Sequence, residues 1–335
     1  LDHEINDVDQ SNTAEALDFS VIDQDNNVAL SQDLLVENDC DGTDGNDAFC
    51  FSDGGGGDLN VNEISTGITQ DNEAHLSTDA VSEQFNELVV AQNVAILNDC
   101  DETEDGLNSA SCTNVDIINF VGPIDQLSIN QAGDEAIGAT IAQSNDAQIV
   151  QELVVANDCD ESGAGDNLVV CQNLATNFID DIDGIRQTGS ASVADDFVQN
   201  NLLVISQEID ATNNCDEFGD GNNGDSGSTQ SCINEIANTI GPVDQGNSAA
   251  GTEVTDISQN NDITNMNQVL IANNACDQTG PGNNLADCDN SGQNFIDEIT
   301  QTHAATGDLF ADFFQNNDAA YSQVLDISND CDETT

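Results

Sequence analysis

Apolar and polar residues alternate along short stretches of this chain, with Val115 and Ile117, or Val89 and Ala91, set against polar neighbours. A period of two sends successive side chains to opposite faces, which predicts strands. The abundance of Val and Ile agrees. Clusters of Gly, Asp and Asn supply the turns between strands. Helix caps and a sustained 3.6-residue period are missing, so helices are not expected. No apolar run approaches the ~18 residues a membrane-spanning helix needs.

The alternation sits inside a longer period. A segment reading Gln24, Asn26, Gln32, Asn38, Cys40 returns as Gln84, Asn86, Gln92, Asn98, Cys100 and as Gln143, Asn145, Gln151, Asn157, Cys159. It returns again as Gln199, Asn201, Gln207, Asn213, Cys215, then as Gln259, Asn261, Gln268, Asn274, Cys276 with one extra residue, and finally as Gln315, Asn317, Gln323, Asn329, Cys331. Runs such as Leu88-Val89-Val90-Ala91 and Leu153-Val154-Val155-Ala156 recur at one repeat position, which argues against a disordered tail. Cys-to-Cys spacing is 55 to 61 residues. A fixed period of this kind signals stacked units, so residues 1–335 are expected to form one elongated array. Its repeats run approximately 5–50, 51–112, 113–171, 172–232, 233–288 and 289–335.

Each unit has two halves. The first ends in Asn-x-Cys and an acidic, Gly-rich loop. The second opens on another Cys and continues, in two units, to Val121-Gly122-Pro123-Ile124-Asp125-Gln126 and Ile240-Gly241-Pro242-Val243-Asp244-Gln245. The residue two after an Asn is usually apolar or Cys, as in Asn26-x-Val28, Asn145-x-Ala147 and Asn201-x-Leu203. In a strand these two share a face, so the Asn side chains should point inward with the apolar ones. A buried amide needs partners. Stacked copies of the same Asn or Gln would supply them as a ladder. The ladder candidates are Gln24, Asn26, Gln84, Asn86, Gln143, Asn145, Gln199, Asn201, Gln259, Asn261, Gln315 and Asn317. None of the 43 Asn lies in Asn-x-Ser/Thr, which excludes glycosylation at ordinary sequons.

The fold expected is therefore all-β, a repeat β-solenoid of six Gln/Asn/Cys units. Two rungs per unit would give a rise of roughly 58 Å over the array. The alternative architecture is a β-sandwich subunit that donates its N-terminal strand, within residues 1–36, to a neighbour.

The formal charge is −64, with Arg186 the single basic side chain and no Lys. Such a surface repels nucleic acid and anionic lipid, attracts divalent cations, and repels its own copies unless counterions intervene. Eleven cysteines point to an oxidising compartment, and the sequence itself contains no signal peptide, which a mature chain starting at Leu1 would have lost. Ten cysteines fall into close pairs: Cys40 with Cys50, Cys100 with Cys112, Cys159 with Cys171, Cys215 with Cys232, and Cys276 with Cys288. The spacings are too long and variable for zinc knuckles, so disulfides are expected, either within these pairs or bridging neighbouring repeats. Cys331 has no local partner and is either free or linked across subunits.

Gln143-x-Asn145 followed by Gln151, with Ala147 two after the Asn, resembles the curlin repeat of bacterial surface amyloids. The resemblance covers about 20 residues per repeat. It implies a strand–turn–strand rung and a β-solenoid that polymerises outside the cell. This chain departs from that family in its longer repeat, its Cys-bracketed acidic loops and its Gly positions. The chain starts and stops in mid-repeat with no visible cap, so the stack ends are expected to invite another copy.

The candidate Ca²⁺ ligands are Asp39, Asp41, Asp44, Asp99, Asp101, Asp158 and Asp160, since closely spaced acids with Gly turns can offer a hard cation several oxygens. None of the loops carries the full EF-hand pattern. Catalysis is not expected: His3, His75 and His303 share no repeat position, and one Arg leaves little to hold an anion. No cofactor is required, and Ca²⁺ is the one candidate. The function expected is a secreted structural subunit that polymerises head-to-tail into an extracellular filament. The alternative is a Ca²⁺-dependent monomeric cell-surface adhesin or matrix protein.

Overall fold

A computed structural model of the chain describes residues 2–15, 20–40, 48–52, 60–76, 80–101, 109–132, 139–162, 168–218, 229–279, 285–307 and 312–334. It is all-β, and no helix occurs among the described residues. Every strand pairing is parallel, and each joins a residue to its counterpart one repeat later, as in Gln24 with Gln84 and Gln143 with Gln199. A parallel ladder whose register equals the repeat length is a solenoid in which one unit makes one turn.

Three ladders run along the stack. Face 1 holds Asp2–Ile5, Asn60–Ile64, Ser109–Val121, Leu168–Ile179, Thr229–Ile240 and Leu285–Ile296, with Ala48–Ser52 also paired to Ser109–Val121. Face 2 holds Val8–Glu15, Ile68–Leu76, Ile124–Ala132 and Ile299–Thr306, with the first parts of the long strands Ile182–Phe218 and Val243–Ala275. Face 3 holds Val21–Asp39, Val81–Asp99, Ala139–Ser162, the later parts of the same two long strands, and Asp312–Asp330. Faces 1 and 2 meet at the Gly-Pro corner. There Gly67 has φ 105°, and a Cβ on it would sit 2.7 Å from the Pro123 carbonyl oxygen, so only glycine fits without displacement.

Face 3 lies across from faces 1 and 2, and the alternation of the sequence sets which residues meet between them. The inward columns divide into apolar and amide layers. One apolar layer stacks Ile64, Val121, Ile179 and Ile240 against Leu88, Ile149, Leu203 and Ile263. A second contains Leu34, Val94, Leu153, Ile209 and Leu270 with Ile117 and Ile236. In the Leu88-Val89-Val90-Ala91 run, Leu88 and Val90 point inward and Val89 and Ala91 do not, because the buried face is the one carrying Asn86 and Gln92. The extra residue of the fifth unit is absorbed by register shifts between Leu203 and Val204 and between Ile263 and Met266. A shift opposite Asn173–Ala175 accommodates Asp116 at φ 56°.

Two expectations are corrected. Each unit forms one rung, not two, because about 60 residues are consumed by three faces per turn. Six turns at ~4.8 Å then rise about 29 Å, half the two-rung value. The donated-strand sandwich is not the architecture: Val8–Glu15 and Val21–Asp39 pair in parallel with the next turn of their own chain.

The cysteines form a column to which five turns contribute two each and the last contributes Cys331. Cys50, Cys112, Cys171, Cys232 and Cys288 share one register on face 1. Two bonds lie within a turn, Cys40–Cys50 and Cys100–Cys112. The other three cross to the next turn: Cys171–Cys215, Cys232–Cys276 and Cys288–Cys331. Cys159 is free and buried. The loop-spanning pairs Cys159–Cys171, Cys215–Cys232 and Cys276–Cys288 are therefore not the bonds formed. Chain spacing cannot separate the two patterns, because stacking brings the next turn's sulfur as close as the sulfur in the same turn. The three sulfurs of Cys159, Cys171 and Cys215 all lie within 4.8 Å of one another.

Candidate assembly surface

The ladder residues occupy single columns on face 3. In the first Gln column, Gln84 donates Nε2 to Gln24 Oε1 at 2.9 Å, Gln143 to Gln84 at 3.0 Å, Gln199 to Gln143 at 2.8 Å, Gln259 to Gln199 at 2.8 Å and Gln315 to Gln259 at 2.7 Å. Every bond in this column donates toward the earlier turn. The column of Gln32, Gln92, Gln151, Gln207, Gln268 and Gln323 runs the same way.

The Asn columns run oppositely. Asn26 donates Nδ2 to Asn86 Oδ1 at 3.1 Å, Asn86 to Asn145 at 3.0 Å, Asn145 to Asn201 at 3.3 Å, Asn201 to Asn261 at 2.8 Å and Asn261 to Asn317 at 3.2 Å. Asn38, Asn98, Asn157, Asn213, Asn274 and Asn329 repeat that direction toward the later turn. So do Asn119, Asn177, Asn238 and Asn294 on face 1. Amides also hydrogen-bond the opposing face, as Gln92 Nε2 to the Phe120 carbonyl at 2.9 Å and Asn145 Nδ2 to the Arg186 carbonyl at 3.1 Å. Satisfied in this way, a buried amide adds about 1 kcal/mol and avoids the penalty of an unpaired polar group. The sequence pattern pointed to the ladders. It did not show the second set of amides, Asn62, Gln70, Asn72, Asn114 and Asn173, which faces them from faces 1 and 2 and is equally buried.

The stack therefore has a direction. Gln315 Oε1 on the last turn and Asn26 Oδ1 on the first are acceptor ends, while Gln24 Nε2 and Asn317 Nδ2 are donor ends. Within the chain the two donors turn sideways to backbone carbonyls, Gln24 to Glu73 at 3.2 Å and Asn317 to Gln301 at 3.1 Å. Asn26 Oδ1 accepts from Asn12 at 2.7 Å.

The last turn is open. Asp312–Asp330 is exposed along its whole length. Its inward positions Phe313, Tyr321, Leu325 and Ile327 are 49, 70, 53 and 39% exposed, whereas their register partners Ile257, Met266, Leu270 and Ala272 are at most 1% exposed. The apolar columns of the core are thus exposed on this turn, beside Gln315, which donates to Gln259, and Asn317, which donates to the Gln301 carbonyl.

The proposed Ca²⁺ ligands are only partly gathered. Asp41 and Asp44 lie outside the described residues. Asp39, Asp99 and Asp158 share one register column, which continues through Asn214 and Ala275 to Asp330. They line a groove of about 590 Å³ with Glu37 and Leu97. Asp160 and Asp216 are paired in register on the other side of the cysteines. Burial, with Asp158, Asp216 and Asp101 nearby, pushes Asp160 up to about 6. Burial together with Asp101, Asp158 and Asp39 also raises Asp99. Columns of carboxylates one strand apart attract cations, but the described oxygens form no closed shell for one ion. Among the His residues, His75 faces Glu73 at 3.2 Å and His303 Nε2 lies 2.9 Å from the Asn316 carbonyl, while the side chain of His3 is outside the description. Arg186 pairs with Asp244 on the surface.

Comparison with known protein families, with characterised proteins and with solved structures finds no match. The five disulfides point to an oxidising, extracellular environment. No helix is long and apolar enough to cross a membrane.

Proposed function

We propose that this protein is a secreted structural subunit that polymerises head-to-tail into an extracellular filament. The observation that carries this reading is the amide polarity. When the first turn of one copy sits on the last turn of another, Gln24 of the upper copy can donate to Gln315 Oε1, and Asn317 can donate to the upper Asn26 Oδ1. Where a column meets its own copy in a face-to-face contact it is mismatched, Gln acceptor against Gln acceptor and Asn donor against Asn donor for two last turns and the reverse for two first turns, whereas head-to-tail stacking in register matches both columns. The ladders favour one orientation out of three. A heterologous contact of that kind adds subunits without closing. It also covers Phe313, Tyr321, Leu325 and Ile327 and pairs an open strand edge. Because Asp330 of one copy would meet Asp39 of the next, the contact needs counterions, which is where Ca²⁺ or other divalent cations act. Nothing in this mechanism needs a catalytic group.

The test is sedimentation and electron microscopy of the unreduced chain in moderate salt with and without Ca²⁺. Wild type should form filaments. Tyr321→Glu, on the open face, should stay monomeric with an unchanged thermal midpoint, while Leu97→Glu, on the side of the stack, should still polymerise. A wild type that remains monomeric in all these conditions sinks the filament and leaves the Ca²⁺-dependent adhesin.

A further inference from the structure

Nine cysteines, from Cys100 to Cys331, form an unbroken line of sulfurs in chain order. Cys100, Cys112 and Cys159 lie within 4.8 Å of one another, as do Cys159, Cys171 and Cys215, then Cys215, Cys232 and Cys276, and finally Cys276, Cys288 and Cys331. Neighbouring triads share a residue, so each interior sulfur has a neighbour on either side. An odd number of sulfurs in such a line leaves one unpaired, and here it is Cys159.

We propose that this line is a thiol relay, which carries the single thiol from buried Cys159 to Cys331 on the open last turn and makes Cys331 a site of covalent modification. The Cys159 thiolate attacks Cys171. A Cys159–Cys171 bond forms, the Cys171–Cys215 bond breaks, and Cys215 leaves as thiolate. Cys215 attacks Cys232 and frees Cys276, and Cys276 attacks Cys288 and frees Cys331. Each step exchanges one disulfide for another and passes one negative charge forward. The proton lost at Cys159 is regained at Cys331, and no oxidant or reductant is consumed. The end state contains the loop-spanning pairs Cys159–Cys171, Cys215–Cys232 and Cys276–Cys288. The pairing seen and the pairing that chain spacing favours are thus two positions of one relay. In the other direction, attack of Cys159 on Cys112 frees Cys100.

Parity makes the proposal specific. With four bonds between sulfurs adjacent in chain order, the relay moves the thiol among Cys100, Cys159, Cys215, Cys276 and Cys331; attack across a triad, as of Cys159 on Cys215, is a side branch that would free Cys171 instead. The thiolate is the attacking species, and burial pushes the Cys159 thiol well up, with Asp158, Asp160 and Asp99 adding to the rise. Exchange is therefore slow at neutral pH and should quicken about tenfold per pH unit below that value.

The experiment uses the unreduced full chain. It is held at about pH 6 or about pH 9 without reductant, then trapped with a maleimide in denaturant, digested with pepsin and mapped by mass spectrometry. At the lower pH the label should sit on Cys159. At the higher pH it should appear on Cys331, with Cys215 and Cys276 as minor sites. Cys159→Ser should abolish labelling throughout the line. Cys331→Ser should also leave no thiol, because the remaining eight sulfurs can all pair within turns, moving Cys215 from Cys171 to Cys232. Label confined to Cys159 after prolonged incubation at high pH would overturn the relay. So would label on Cys171 or Cys232 in place of Cys331, or a Cys331→Ser protein that keeps Cys171–Cys215 with both Cys159 and Cys288 free.

Discussion

Ala139–Ser162 in the middle of the stack and Asp312–Asp330 at its end carry the same amides in the same register, yet one is buried on every second residue and the other is exposed throughout. Leu153 is fully buried, while Leu325, its counterpart in the column through Ile209 and Leu270, is 53% exposed. The difference is the following turn: Val21–Asp39 at the other end is also paired on one side only, yet it is followed by a turn and keeps Ile22, Val28 and Leu34 buried. In this fold the inward face of a turn is not made by that turn: half of its cover is the next copy of the repeat.

The comparison can be broken most severely at the apolar columns. Leu153→Ala should destabilise by about 2–5 kcal/mol, and Leu325→Ala in the monomer by under ~1 kcal/mol, both read from urea unfolding. Equal losses would mean that the end turn is already covered. The amide columns should show the same asymmetry on a smaller scale. Asn145→Ala removes the bonds to Asn86, Asn201 and the Arg186 carbonyl, leaving Asn86 Nδ2 its bonds to the Leu127 carbonyl and Ser128 Oγ, a loss of about 2–3 kcal/mol. Asn317→Ala should cost about 1 kcal/mol or less, since its surroundings are open to water. Gly67→Ala, at the corner, should cost about 1–2 kcal/mol through its positive φ, and the same substitution at Gly292, where φ is not positive, should cost less backbone strain.

The smallest effect is electrostatic. Asp160, Asp99 and Asp216 have carboxyls raised in the folded state, so that state binds more protons than the unfolded chain between the ordinary carboxylate range and about pH 6. Stability should fall as pH rises through that window and recover as pH is lowered into it. A melting temperature followed from neutral pH down to about 4.5 should rise, and added salt at neutral pH should shrink the rise. A melting temperature that falls on mild acidification would mean that the carboxylate columns hold favourable partners instead.

Much of the fold was legible in the sequence because the repeat and the alternation encode the same thing twice. Gln24 and Asn26 fix which face is inward, and their recurrence fixes the register, so the solenoid and its ladders follow from spacing. The number of rungs did not follow, since a ~60-residue unit can be folded into one wide turn or two narrow ones, and the one-repeat register of the ladders, as of Cys112 with Cys171 on face 1, decides. The disulfide pattern was ambiguous for a physical reason: Cys171 is as accessible to Cys215 in the next turn as to Cys159 in its own. The direction of the amide ladders and the opposing amides such as Asn72 and Asn114 were hidden because no property of a single repeat reveals which way its neighbour's amide points.

The central claim is that one repeat makes one turn and that copies continue the stack. Electron cryo-microscopy of unreduced filaments measures this directly through the axial rise per subunit. The account predicts about 29 Å, with a ~4.8 Å spacing along the filament axis running unbroken across subunit junctions. A rise of about 58 Å, or filaments of beads without the axial ~4.8 Å spacing, would contradict it.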